Sequence, residues 1–348
     1  MSPRVGIIAN PVSARDIRRV VASAAGLQLA DRANIVLRAL AALAATGIDH
    51  VVMMPDGAGI EGHVLRHLAR AANLGEARFP RLSFLDMRPR GTVEDTRRAA
   101  RMMREAGVAV IVVLGGDGTH RAVAAECGSV PVAGISTGTN NAFPDHREPT
   151  VTGLAAGLYA AGRVPAAVAL AGNKWIEADV EGAGREIALV DVAVVTDRYV
   201  GARALWKPET FRELFVTFAD PEVIGMSAIA GLARPLGRRE AGGVRVEMAP
   251  ATLARRVLNA PIAPGLVLPV GIAAVATMPA GRPFAPVIPA GSLALDGERE
   301  LFFDAHQSVT LTLVENAFRT LEAGAVMRFA AESGAMFSDA VRREPASV

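Results

Sequence analysis

Residues 115–119 read Gly-Gly-Asp-Gly-Thr, one carboxylate wrapped in three glycines and followed by a hydroxyl. Glycines let backbone N–H groups approach a phosphate closely, and a helix opening at such a turn adds its positive end. Gly115, Gly116, Gly118 and Thr119 therefore form a candidate anion cradle. A bare phosphate about 4 Å from Asp117 would be repelled by roughly 1–4 kcal/mol. The carboxylate fits where it meets Mg²⁺ or faces a hydroxyl that must lose a proton, and both situations belong to phosphoryl transfer. The turn is neither a P-loop nor a GxGxxG fingerprint. Lys174 and Lys207 are the only lysines, so none near the turn holds phosphate. Without a ligand, Asp117 would be a helix N-cap and no more.

Two further loops belong with this one. "VPVAGIS" delivers "TGTNNAF", where Gly138, Thr139, Asn140 and Asn141 offer small hydroxyl and amide groups that can bond a nucleotide without bringing charge. "RVGIIAN" ends in Asn10, Pro11 and Ser13. In open α/β sheets, ligands bind beyond the carboxyl ends of the strands. Three polar loops at one such edge argue for a site more strongly than any one of them.

The elements that must position these loops can be read from hydrophobic period. "RVGIIAN", "DHVVMMP", "RLSFLDM", "VAVIVVL" and "VPVAGIS" read as short buried strands. Between them lie helical patterns. Asp31 to Thr46 repeats apolar residues at Ile35, Val36, Leu40 and Leu43 and stops at Gly47, while Thr92 and Asp95 stand at capping-box spacing before another helix. This alternation predicts an α/β fold with a parallel sheet covered on both faces. After about residue 165, β-rich runs separated by Gly/Pro turns predict an antiparallel sandwich or meander: "KWIEADV", "EIALVDVAVV", "GGVRVEMA", "LVLPVGIAAVAT" and "SVTLTLV". Helical patterns are expected to interrupt it at 209–218 and 221–232, and the last forty residues turn helical again.

Composition excludes several classes. The 348 residues carry a formal net charge of +2 with no polybasic block, which argues against nucleic acid as a partner. Cys127 is the sole cysteine, so there is neither an internal disulfide nor a thiolate cluster. The apolar run at the start is too short for a signal peptide, and the most apolar later stretch is broken by Pro269 and Pro279. The expectation is a soluble cytoplasmic protein with no membrane insertion. His63 and His67 stand at i, i+4 without a third ligand, so a solvated helix face is expected there and no metal site.

In GGDGT at 115–119, "NPVS" at 10–13, "GTNNAF" at 138–143 and "LALDGE" at 293–298, the chain resembles the superfamily of NAD kinases and diacylglycerol or sphingosine kinases. "NPVSARDIRR" and "VDVAVVTDRYVGARALW" look most like AcoX-type proteins, named for acetoin-catabolism operons. The resemblance implies an N-terminal doubly wound, Rossmann-like domain over 1–164 and a β-sandwich domain over 165–314. A C-terminal helix over 315–348 would return to the first domain. It further implies ATP with Mg²⁺, NAD as a possible substrate, an active site between the domains, and a homo-oligomer such as a dimer. By position, Gly115 to Thr119 would contact phosphate and Asp117 would be the catalytic or metal-linked carboxylate. Asn10, Pro11, Ser13, Gly138, Thr139, Asn140 and Asn141 would line the nucleotide, and Asp191 would meet a ribose hydroxyl. Asp296 and Glu298 would be base and metal-linked groups; on residues alone, Asp296-Gly297 is a hairpin turn.

The chain also departs from those relatives. Ala142 stands where lipid kinases carry Asp, and His120-Arg121-Ala122 replaces their x-Asn-Glu. Ala14 replaces a loop glycine, and Val190-Asp191 replaces the Asn-Glu of NAD kinases. Three readings follow: a kinase acting on NAD or a related small molecule, a lipid or polyol kinase, and a nucleotide-binding accessory protein without efficient catalysis.

Overall fold

Five of the apolar runs become parallel strands: β1 (Arg4–Ala9), β2 (His50–Met53), β3 (Arg81–Phe84), β4 (Val110–Gly115) and β5 (Val132–Ser136). The computed structural model describes residues 3–11, 28–75, 79–137, 141–196 and 208–337, except for the side chains of 298–300. The spatial order is β3-β2-β1-β4-β5, which reverses between β1 and β4. Every residue of β4 is buried, because both faces of the sheet are covered. Val110, Val112 and Leu114 pack with α1 (Leu29–Ala45), α2 (Ile60–Leu74) and α5 (Pro149–Ala160). Ile111 and Val113, on the other face, pack with α3 (Val93–Glu105) and α4 (Asp117–Ala124). Ile35, Val36, Leu40 and Leu43 are all buried, so the period read in the sequence is the buried stripe of α1. The capping box of Thr92 and Asp95 opens α3.

A short helix, α6 (Ala166–Ala169), leads into the antiparallel part: β6 (Leu170–Val180), β7 (Gly184–Ala188), β8 (Asp191–Val195), β9 (Phe211–Val216), α7 (Met226–Ala233), β10 (Gly243–Ala249), β11 (Arg256–Ala263), β12 (Leu266–Met278), β13 (Pro283–Phe284), β14 (Gly291–Leu295), β15 (Glu298–Phe303), β16 (Val309–Leu321) and α8 (Ala323–Ser333). One sheet runs β11-β12-β10-β9-β8-β14-β15. The other continues the parallel sheet through β16, β6 and β7, with β16 beside β5. Ile176, Ala178, Leu311 and Leu313 of the continued sheet pack against Val192, Val194, Phe215 and Leu293 of the second sheet. On that sheet's far side, Ala193, Val195 and Leu214 pack under Ile229 and Ala230 of α7. The α8 helix buries Val326 and Ala330 in the same cluster as α1 and α5.

Two expectations fail. The segment read as helical from residue 315 stays in β16 as far as Leu321, held by its pairing with β6, and α8 begins at Ala323. Residues 209–218, read as helical, form a one-turn 3₁₀ segment at Pro208–Thr210 and then strand β9. Phe211, Leu214, Phe215 and Phe218 sit at helical spacing, but all four are buried because both faces of β9 are covered. The intervening Glu213 is fully buried too. Its Oε1 accepts from Nε (2.9 Å) and Nη2 (2.6 Å) of Arg245 on the neighbouring strand, and its Oε2 accepts from the Val287 amide (2.6 Å).

Among the described residues no helix is long and apolar enough to cross a membrane. The apolar stretch interrupted by Pro269 and Pro279 is largely β12.

Candidate active site

The strand register brings the first and fourth strand ends together. Ala9 pairs with Leu114, and Gly115 with Ser136. The Asn10 amide donates to the Leu114 carbonyl (3.2 Å) and the Thr137 amide to the Gly115 carbonyl (3.2 Å). Asn10, Gly116–Thr119 and Thr137 therefore meet at the carboxyl edge where the strand order reverses, the position at which open α/β sheets bind ligands. Asn10 Nδ2 donates to Thr119 Oγ1 (3.0 Å), and Arg32 Nη1 to the Asn10 carbonyl (2.7 Å). Pro11 follows Asn10 beyond β1. Asn141 Nδ2 donates to Ser136 Oγ (2.8 Å). Ser13, Gly138, Thr139, Asn140 and the side chain of Glu298 lie outside the described residues.

The three glycines of the turn do different jobs. A Cβ on Gly115 would stand 2.4 Å from Thr119 Cβ, and one on Gly116 would stand 2.8 Å from Asn141 Oδ1. These two are glycine so that the strand end, α4 and the 141 loop can close on one another. A Cβ on Gly118 would meet nothing within 4 Å. Its side of the first turn of α4 is the open one.

Asp117 is the first residue of α4 and is buried. Its Oδ2 accepts from the Ala142 amide and its Oδ1 from the Phe143 amide, each at 3.0 Å. Burial, reinforced by the negative Asp296, pushes its pKa up to about 7, against the pull of the two amides and Arg238. His120 lies beneath the turn, 1% exposed, with its ring 5.9 Å from that of Phe143. Its Nδ1 stands 2.9 Å from the Gly116 carbonyl, which can only accept, so Nδ1 carries the proton. Burial pushes its pKa down to about 4, and the imidazole is neutral. His120 braces the turn from inside.

The antiparallel part supplies the other wall. Asp296 and Gly297 are the two residues between β14 and β15, at φ 50° and 82°, as a tight hairpin with both central residues at positive φ requires. The Asp296 carboxylate also turns inward. It accepts from the amides of Leu189 (3.2 Å), Val190 (2.8 Å) and Asp191 (3.4 Å), and its Oδ2 lies 3.9 Å from Arg121 Nε. Burial raises its pKa, opposed by Arg121 and the amides. Asp191, also buried, opens β8 and accepts from the Asp296 amide through its carbonyl (2.9 Å). Two carboxylates, Asp117 and Asp296, thus face the seam from opposite sides with raised pKa values.

Residues 5–164 match the family model for the ATP-NAD kinase N-terminal domain, and residues 174–316 match that for the acetoin catabolism protein X C-terminal domain. The chain is 54% identical over 334 residues to acetoin catabolism protein X of Cupriavidus necator, covering 95% of this chain and 93% of that protein. The chain belongs to the acetoin catabolism protein X family. Among solved structures, yeast NADH kinase complexed with NADH is similar at 13% identity with a TM-score of 0.46, over 99% of this chain and 91% of that one. Over residues 5–164, this member of the acetoin catabolism protein X family is kinase-like in sequence.

In this family member, Asn10, Gly115, Gly116, Gly118, Thr119 and Asn141 are gathered around Asp117, and Asp191 and Asp296 stand across the seam. Two residues not counted among the site candidates complete the arrangement. Arg121 Nη1 donates to the Leu295 carbonyl (3.0 Å), crossing from α4 to the hairpin. Arg238, between α7 and β10, donates from Nη2 to the carbonyls of Ala142 (2.9 Å) and Phe143 (2.7 Å). The replacement of Asn by Arg at 121 was a usable signal. Nothing in "LGRREAGG" distinguishes Arg238, which reaches the site, from Arg239, which reaches Gly172 and Glu322 instead. Lys174 is occupied elsewhere, donating to the carbonyls of Glu240 (2.6 Å) and Gly242 (2.7 Å). His63 and His67 are both exposed on α2, and Cys127 is buried.

Proposed function

We propose that this protein is a phosphotransferase that moves the terminal phosphoryl group of ATP to a hydroxyl of NAD or a related small molecule. The observation that carries the reading is Asp117: a carboxylate with a pKa of about 7, on the first turn of a helix, at the edge where the strand order reverses. A general base works best with a pKa near the working pH. The acceptor hydroxyl would lie over the open side of Gly118 and pass its proton to Asp117. Its oxygen would then bond the phosphorus while the bond to ADP breaks. The helix N-terminus and the glycine turn would hold the phosphate oxygens.

Among the described residues no group of three or more His, Cys, Asp or Glu could hold a metal ion. The Mg²⁺ that supports such chemistry would be carried in on the phosphates of ATP, and no protein-held metal is part of the proposal. Asp296 is engaged by three amides, so we assign it to the wall of the site and leave Asp117 as the base. A setting in acetoin catabolism is inferred from the relative's name alone. The homodimer implied by the resemblance belongs to the same proposal, and light scattering on the purified protein reads it.

The test is product formation from ATP with NAD and NADH, with Asp117→Asn as control. Turnover that Asp117→Asn removes while the fold persists supports the assignment; unchanged turnover in that variant refutes it. A second reading, a nucleotide-binding accessory protein, is favoured by one observation. Both Asp117 oxygens are already taken by the amides of Phe143 and of Ala142, and Ala142 stands where lipid kinases carry Asp. A thermal shift with ATP or NAD and no phosphorylated product would select it.

A further inference from the structure

Two arginines cross the seam, and they act on different carboxylates. Arg121 leaves α4 for the hairpin and engages Leu295 and Asp296. Arg238 comes from the opposite side to the loop that carries Ala142 and Phe143. That loop is also what holds Asp117, through the amides of the same two residues. The peptide group between Ala142 and Phe143 is shared: its carbonyl accepts from Arg238, and its N–H donates to Asp117 Oδ1. A cation at the carbonyl polarises the peptide and strengthens the N–H as a donor. The guanidinium carbon stands 4.8 Å from the centre of the Phe143 ring and 4.7 Å from that of Phe218. It is held between two faces, a geometry suited to the planar arginine head and not to an ammonium.

We propose that Arg238 is a positioning residue for Asp117, acting through the Ala142–Phe143 peptide to fix where the carboxylate sits and to favour its ionised form. Among the described residues, the charged groups that act on Asp117 are Asp296 from the hairpin and Arg238 from the α7–β10 connection. His120, on its own helix, is neutral near pH 7. Removing Arg238 therefore withdraws the only positive neighbour in this set and loosens both amides. Both changes raise the pKa of Asp117. The consequence for turnover rests on the kinase reading above; the positioning does not.

The experiment uses the full chain labelled with ¹³C-carbonyl alanine and ¹⁵N-phenylalanine. The dipeptide Ala-Phe occurs only at 142–143 and 317–318, so two amide signals are selected. The Phe318 ring lies 5.6 Å from that of Phe143, so near-UV circular dichroism serves as the check on the fold. In the wild type the Phe143 signal should titrate with a midpoint of about 7, and it should cease to titrate in Asp117→Asn. In Arg238→Gln the midpoint is expected to rise by about one pH unit. Arg238→Lys, which keeps a charge but not the two-carbonyl grip, is expected to recover only part of that rise. The proposal is overturned by a folded Arg238→Gln protein whose Phe143 midpoint matches the wild type. If the glutamine variant does not fold, Arg238→Lys carries the test alone, and a wild-type midpoint there overturns it equally. Where turnover is measurable, kcat should fall about tenfold in Arg238→Gln with the acceptor KM held. Absence of turnover in the wild type would sink the kinase reading and leave the midpoint result standing.

Discussion

Replacing Asp117 by asparagine should change how stability depends on pH, apart from any effect on catalysis. The folded carboxyl has a pKa of about 7 against 3.8 for an ordinary aspartate, so the native protein binds the extra proton throughout the window between those values. Stability linked to this group is present below pH 3.8 and is lost as pH rises toward 7. Between pH 4.5 and pH 8 the loss is about 3 kcal/mol at about 1.4 kcal/mol per unit. Asparagine has no proton to lose. It keeps one acceptor oxygen for the two amides, which costs about 1 kcal/mol at every pH. For 348 residues the unfolding entropy is about 0.7 kcal/mol/K, so the Tm difference between wild type and variant should shrink or reverse by about 4 °C from pH 4.5 to pH 8. Because Asp117 and Asp296 interact, the curve reports the proton that the pair holds. Scanning calorimetry of both proteins across that range decides the matter. A difference that stays flat to about 1 °C would mean that Asp117 ionises in the fold as it does in water, and the argument from burial would be wrong.

Gly115→Ala should cost about 1–3 kcal/mol in denaturant unfolding, since the new methyl lands 2.4 Å from Thr119 Cβ. Gly118→Ala should leave stability within about 0.5 kcal/mol, because its methyl would face open space, while weakening the thermal shift that ATP produces. If Gly118→Ala binds ATP as the wild type does, the open side of the turn is not where phosphate sits. Arg121→Met should destabilise by about 3 kcal/mol or more, because it strips the cation from a buried Asp296; chemical denaturation at pH 8 measures it, and a loss under 1 kcal/mol would show that the ion pair ties nothing. Cys127 is buried with its pKa pushed up to about 12, so a thiol reagent should label it only on unfolding; rapid labelling of native protein would contradict that burial.

The sequence by itself determined the parts of this protein that depend on neighbours along the chain. A strand buried on both faces has to be apolar throughout, so "VAVIVVL" announced β4, and a helix that starts where such a strand ends has to open on residues that tolerate its free amides. The stripe of α1, the capping box of α3 and the Asp-Gly hairpin are local in the same sense, each fixed by a period or a backbone angle. Tertiary structure decided what depends on residues far apart in sequence. Phe211 to Phe218 carries helical spacing, yet β8 and β10 on either side made it a strand, and the buried Glu213 is tolerated there because Arg245 lies on the adjacent strand. Asp296 looked like a base from its motif, and its surroundings gave it three amides and Arg121. Arg238 stands 121 residues from Asp117 and had no mark in the sequence. Its place in the site follows from where the loop after α7 lands against the loop after β5, a contact between segments that no local propensity encodes.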